Sequence, residues 1–125
     1  MQKSQEGKTK GQIEAEISNG LIQFEREYLG RGPVECKTYL IDDMVLIRLK
    51  GVLTQAEQQL AKNDSGKDLI KKMRSNLLEQ GKGLLTVLIE EITSCKVVSL
   101  HTDISTKTGE RIIIFTMGSA MKEKL

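Results

Sequence analysis

Residues 34–52 read V-E-C-K-T-Y-L-I-D-D-M-V-L-I-R-L-K-G-V, and both halves carry a period of two. In the first half Val34, Cys36, Thr38 and Leu40 point one way and Glu35, Lys37 and Tyr39 the other, which is the pattern of a strand with one wetter face. Asp42-Asp43 supplies a turn, and Val45, Ile47 and Leu49 mark the core side of a second strand. A hairpin is the economical way to join the two.

Upstream, Ile13, Ile17, Leu21, Phe24 and Tyr28 recur at helical spacing and form one stripe. This helix is expected to end at Gly30, a favoured left-handed cap, with Pro33 just beyond. Residues 1–11 are polar and aperiodic and read as a tail, residues 12–118 as a single domain, and residues 119–125 as a C-terminal tail. Downstream, Thr54 and Glu57 have capping-box spacing for a short helix that runs to about Lys62. Asn63-Asp64-Ser65-Gly66 breaks it. A long helix follows, with a stripe through Leu69 or Ile70, Met73, Leu77, Leu84, Leu88 and Ile92, and Gly81 and Gly83 as places where it could kink or split.

Cys95–Asp103 and Arg111–Met117 are rich in β-branched residues, and Thr106-Lys107-Thr108-Gly109 gives the turn of a second hairpin. The succession Ile112, Ile113, Ile114, Phe115 predicts a central strand covered on both faces. The order is α-β-β-α-α-β-β. It predicts an α+β two-layer sandwich, a four-stranded and mostly antiparallel sheet with helices on one face. Met44, Leu46, Val98 and Leu100 would then sit on sides that the helices leave bare, and such a patch predicts homodimerisation through the sheet or by hairpin exchange.

At 125 residues one core is expected and a second domain is excluded. The net charge of +2 is carried by Lys3, Lys8 and Lys10 against Glu6, so the folded part is near neutral, which argues against a duplex-binding surface. Aromatic content of 3% leaves few stacking platforms for single strands, so no nucleic-acid partner is expected. Cys36 and Cys95 are read as free thiols in strands; with one histidine and no CxxC, a zinc site cannot be assembled without carboxylates. No apolar run approaches the ~20 residues that span a bilayer, and no signal sequence opens the chain, so a cytoplasmic protein without direct membrane insertion is expected.

Few residues invite chemistry. Arg31 lies between Gly30 and Gly32, where backbone can approach a ligand and a guanidinium can grip a carboxylate or phosphate at two points. The alternative is plain helix termination with Arg31 in solvent near the negative helix end. Asp42-Asp43 could offer carboxylates to a cation but are explained as turn residues, and no metal is expected. His101 and Asp103, two apart on a strand, could pair as base and orienter. No nucleophile motif accompanies them, so neither catalysis nor a cofactor is expected.

With these elements placed, the chain resembles the Na+-translocating membrane-potential-generating system MpsC-like family. The likeness is carried by I-S-N-G-L-I-Q-F-E-R-E-Y-L-G-R-G-P at 17–33, D-D-M-V at 42–45, L-K-G-V-L-T-Q-A-E at 49–57, K-V-V at 96–98 with Asp103, and the closing I-I-I-F. It covers roughly residues 12 to 118. The resemblance implies association with bacterial membrane ion or inorganic-carbon transport. Lacking a span or an intramembrane carboxylate, such a chain would act as a cytoplasmic, non-enzymatic accessory or regulatory module, with a membrane transport subunit as partner and, through it, a place at the inner face of the membrane. The alternative reading is a homo-oligomeric domain that senses a small anion or nucleotide, with Arg31, Gly30, Gly32 and Asp103 as candidate ligands.

Overall fold

The computed structural model describes residues 7–120. Helix α1 spans Lys10–Leu29, strands β1 and β2 span Glu35–Ile41 and Met44–Lys50, helices α2 and α3 span Gln55–Leu60 and Asp64–Thr93, and strands β3 and β4 span Val97–Ser105 and Glu110–Met117. The chain is an α+β fold in the expected order. All neighbours in the sheet are antiparallel, and the strand order is β1-β2-β4-β3.

Helix α1 begins earlier than its apolar stripe implies. Thr9 accepts from the Gln12 amide while the Gln12 side chain accepts from the Thr9 amide, a reciprocal cap that starts the helix at Lys10, inside the expected tail. Of the rest of that tail, residues 1–6 lie outside the described residues, as do 121–125 of the C-terminal tail, while Lys8 pairs with Glu16 of the helix. Ile13, Ile17, Leu21 and Phe24 are buried as the spacing required, and Gly30 closes the helix in the left-handed region at φ 85°. Asp42 takes φ 51° in the β1–β2 turn, a conformation its short polar side chain tolerates.

Three expectations are corrected. First, the long helix α3 stands and runs unbroken for 30 residues through Gly81 and Gly83, but its stripe is rotated. Its buried face is Ile70, Arg74, Leu78, Gly81, Leu85, Ile89 and Thr93, one position round from the expected stripe, and Leu69, Met73 and Leu84 are exposed. The face was obscured because its second member is an arginine. Gly81 lies where α1 crosses: a Cβ there would come within 2.5 Å of the Phe24 ring, so absence of a side chain sets the approach of the two helices. Second, Cys95 precedes β3, in the α3–β3 connection. Third, β4 is central but covered on one face only, with Ile113 and Phe115 buried and Ile112 and Ile114 partly exposed.

Alternating burial in β1, β2 and β4 gives the sheet one core face, under α1 and α3, and one outer face. Leu100 packs against the core, whereas Val98 is thrown outward where the β3–β4 register shifts between Val97 and Ser99. The edge strands are tied to the helices by carboxylates: Glu14 of α1 accepts from the Leu40 amide and Glu90 of α3 from the Val97 amide.

Candidate functional site

The loop that follows β2 is held by two arginines. The guanidinium of Arg31 donates from Nη2 to the Gly51 carbonyl at 3.1 Å, from Nη1 to the Leu53 carbonyl at 3.1 Å, and from Nε to the Gly32 carbonyl at 3.2 Å. Arg74 donates from Nη2 to the Val52 carbonyl at 2.9 Å. Three consecutive carbonyls are thereby satisfied by side chains from before β1 and from α3. The turn needs them because Gly51 sits at φ 66°, with Val34 packed where a Cβ would stand. Thr54 and Glu57 then form the capping box of α2 read from their spacing.

Arg74 is buried with 2% of its surface exposed, and its compensation is local. Nε and Nη2 donate to the two Glu57 oxygens at 2.9 and 2.8 Å, and Nη1 stands 3.6 Å from Glu25. Glu25 also accepts from Arg111 at 3.1 Å, so two carboxylates and two guanidinium groups form one interior chain across α1, α2, α3 and β4. Burial pushes the Glu25 carboxyl above its ordinary range even with Arg111 and Arg74 beside it. Burial also presses on Glu57, but hydrogen bonds from Arg74 and Thr54 outweigh it and hold Glu57 below the ordinary range. Burial lowers Arg111, against the pull of Glu25. Sequence reading missed this chain entirely. The one available signal was an arginine at the helical spacing of Ile70 and Leu78.

Arg31 also lines an open cleft of about 690 Å3, bounded by Leu53, α2, the start of α3 and the β3–β4 turn. Lys62, Lys67 and Lys107 share that lining. Gly32 supplies a carbonyl to Arg31 and Gly30 serves as the helix cap, so neither glycine lines the cleft. Asp103 stands apart from Arg31, beside a separate small cavity on the α3–β3 side, with Lys71 3.7 Å away. The four sequence candidates are therefore not one constellation. His101 meets Ser99 at 3.1 Å on the exposed edge strand, and among the described residues no group of three or more His, Cys, Asp and Glu is placed to hold a metal.

The outer sheet face carries apolar residues that no helix covers, Tyr39 and Ile41 exposed and Met44, Leu46, Ile112 and Ile114 half-buried. Register aligns Tyr39, Leu46, Ile114 and His101 in one row across the sheet and Ile41, Met44, Thr116 and Ser99 in the next. The third row, on the other side of the Tyr39 row, reads Lys37, Arg48, Ile112, Asp103, with cations at the β1 side and the anion at the β3 edge. Arg48 also pairs with Glu110 at 2.5 Å. No helix of the described residues is long and apolar enough to cross a membrane.

These features define a small α+β domain built around an interior arginine–glutamate chain, with a bare apolar sheet face and a basic cleft. The chain belongs to the family described as Na+-translocating membrane potential-generating system (MpsC), whose pattern matches residues 9–119. It is 44% identical to the uncharacterized protein YbcI of Bacillus subtilis (strain 168), over 94% of this chain and 95% of that one. A second relative from the same organism, the uncharacterized protein YrhF, is 24% identical over 87% of this chain and 90% of its own length. No solved structure matches the chain.

Proposed function

We propose that the protein is a cytoplasmic, non-enzymatic accessory or regulatory subunit of a bacterial membrane ion or inorganic-carbon transport system, working as a homodimer closed through its outer sheet face. The observation that carries this reading is the pair of apolar rows Tyr39–Leu46–Ile114 and Ile41–Met44, left bare by helices that all pack on the opposite side. A face of this kind on a folded domain marks an interface. The third row supports a second copy as its occupant. When two such faces stack about a twofold axis parallel to the strands, β1 of one copy overlies β3 of the other, which brings the Lys37 and Asp103 positions together twice, Asp103 then exchanging Lys71, 3.7 Å away within its own chain, for Lys37. Family membership and the absence of a spanning helix among the described residues support attachment to a membrane system through a partner.

The test compares the wild type with a Leu46→Lys/Ile114→Lys variant by light scattering and by crosslinked recovery from membrane and soluble fractions of native cells. A wild-type dimer that the variant dissolves, with an integral membrane transport subunit among the crosslinked proteins, is expected. A wild-type monomer at micromolar concentration overturns the dimer. Recovery of the protein alone from the soluble fraction overturns the accessory role.

A further inference from the structure

We infer that the cleft beneath Arg31 is a binding site for a small organic molecule bearing a phosphate group. Twelve described residues line it, four of them cationic and none acidic, in a chain with 17 acidic residues and a net charge of only +2. This asymmetry is local and is assembled from four separate segments. Arg31 comes from the α1–β1 loop, Lys62 from the α2–α3 joint, Lys67 from the first turn of α3, and Lys107 from the β3–β4 turn. Like charges gathered from four segments repel one another, and a shared anion relieves that repulsion. Lys62 and Lys107 form no ion pair with any described residue, and Lys67 reaches only the fully exposed Asp64, at 3.9 Å.

Arg31 is pre-oriented. Its three bonds to Gly32, Gly51 and Leu53 use three of the five N–H donors that a guanidinium carries, leaving two for a ligand. Little side-chain entropy remains to be lost when an anion arrives. Thr106 and Thr108 share the same lining, and phosphate oxygens accept from both hydroxyls and ammonium groups.

The remainder of the site defines the organic part. Val34, Leu53 and Ala61 give the cleft an apolar wall, and Val34 is 77% exposed. At about 690 Å3 the space is far larger than inorganic phosphate needs and falls within the range of small-molecule sites. The fitting chemistry is a phosphomonoester on an apolar or aromatic body, offered either by a free metabolite or by a lipid headgroup.

The test measures binding of adenosine monophosphate, adenosine and inorganic phosphate by calorimetry and thermal shift. A parallel arm measures cosedimentation with phosphatidylcholine vesicles with and without phosphatidic acid. Adenosine monophosphate is expected to bind more tightly than either fragment, and Lys62→Gln/Lys107→Gln is expected to weaken it about tenfold or more. Both lysines are exposed, so an unchanged circular-dichroism melt for this variant attributes the loss to the cleft. Silence of the soluble probes with phosphatidic acid-dependent sedimentation that the variant abolishes supports the same site with a lipid source. Absence of binding in both arms, or binding that survives the double substitution, overturns the inference. Leu46→Lys/Ile114→Lys is expected to leave this binding intact, which separates its outcome from that of the accessory role.

Discussion

Arg31 and Arg74 divide three consecutive carbonyls between them, Arg31 taking Gly51 and Leu53 and Arg74 taking Val52 from the other side. The G-R-G and G-V-L-T segments that carry the family resemblance are thus two halves of one contact. An arginine between glycines, which at first suggests a ligand grip, is first of all a clamp on the loop after β2. It also lines the basic cleft proposed above as a phosphate site.

Arg31→Ala leaves the Gly51 and Leu53 carbonyls without these donors. The loss should cost about 2 kcal/mol, as for hydrogen bonds made by a charged group. Arg31→Lys should recover little, because one ammonium cannot span three acceptors that match a planar fork. Urea denaturation gives the magnitude, and amide exchange at Val52, which donates to the Gly109 carbonyl at 3.0 Å, reports whether the loop loosens. Unaltered stability in Arg31→Ala would remove the clamp.

Glu57→Gln breaks a buried pair and leaves Arg74 with only part of its compensation, at an expected cost of about 3 kcal/mol at pH 7. The pH dependence has a definite sign. Glu57 has a folded-state value below its ordinary 4.5, so its contribution is present above that value and is lost as pH falls through the lowered one. The wild type and the variant should therefore converge in stability under acid. A constant gap between them from pH 7 down to pH 2, followed by calorimetry or denaturant titration, would rule this out.

Much of the fold is written in periodicity: the α1 stripe, the β1–β2 alternation from Cys36 onward and the Thr54–Glu57 box stand where the spacing put them, whereas Val34, read as part of the inner face, precedes β1 and is 77% exposed. What the sequence concealed of the core has one physical cause. Periodicity detects apolar burial, and the apolar core of this molecule has a chain of charged side chains embedded in it. Arg74 and Thr93 occupy the buried face of α3, Glu25 that of α1, and Arg111 that of β4. Excluding charged residues from the core rotated the α3 stripe by one position and hid the Glu25–Arg111 contact, whose partners lie 86 residues apart. The basic cleft was hidden for another reason, since its lysines come from separate segments and form no run.

Gly81 and Gly83 should respond oppositely to alanine. A Cβ at Gly81 would stand 2.5 Å from Phe24 and press α1 away, so Gly81→Ala should destabilise by about 1–3 kcal/mol despite the better helix former. A Cβ at Gly83 meets nothing within 4 Å, so Gly83→Ala should stabilise by up to about 1 kcal/mol. Thermal and denaturant unfolding of the two variants checks the pair. Equal effects of one sign would mean that helix propensity alone decides both sites.

Cys36 provides a probe at the inner edge of β1. Burial is the main cause that pushes its thiol up to about 11 from 9.0, with a smaller push from the Glu25 charge and only a partial offset from Ser18. The thiolate is the reactive form, so iodoacetamide labelling of Cys36 should be slow at pH 8 and rise only toward pH 11. The linkage follows the same direction. A group whose folded value is raised contributes stability that is full below its unfolded value, near 9.0, and is lost as pH climbs through about 11. Cys36→Ser variants should accordingly show a flatter alkaline limb between pH 9 and 11, measured by chemical denaturation at fixed ionic strength. Rapid labelling of Cys36 at pH 8, mapped by mass spectrometry, would mean that the α1–β1 seam opens far more readily than the packing of Ser18 against Thr38 at 2.8 Å implies.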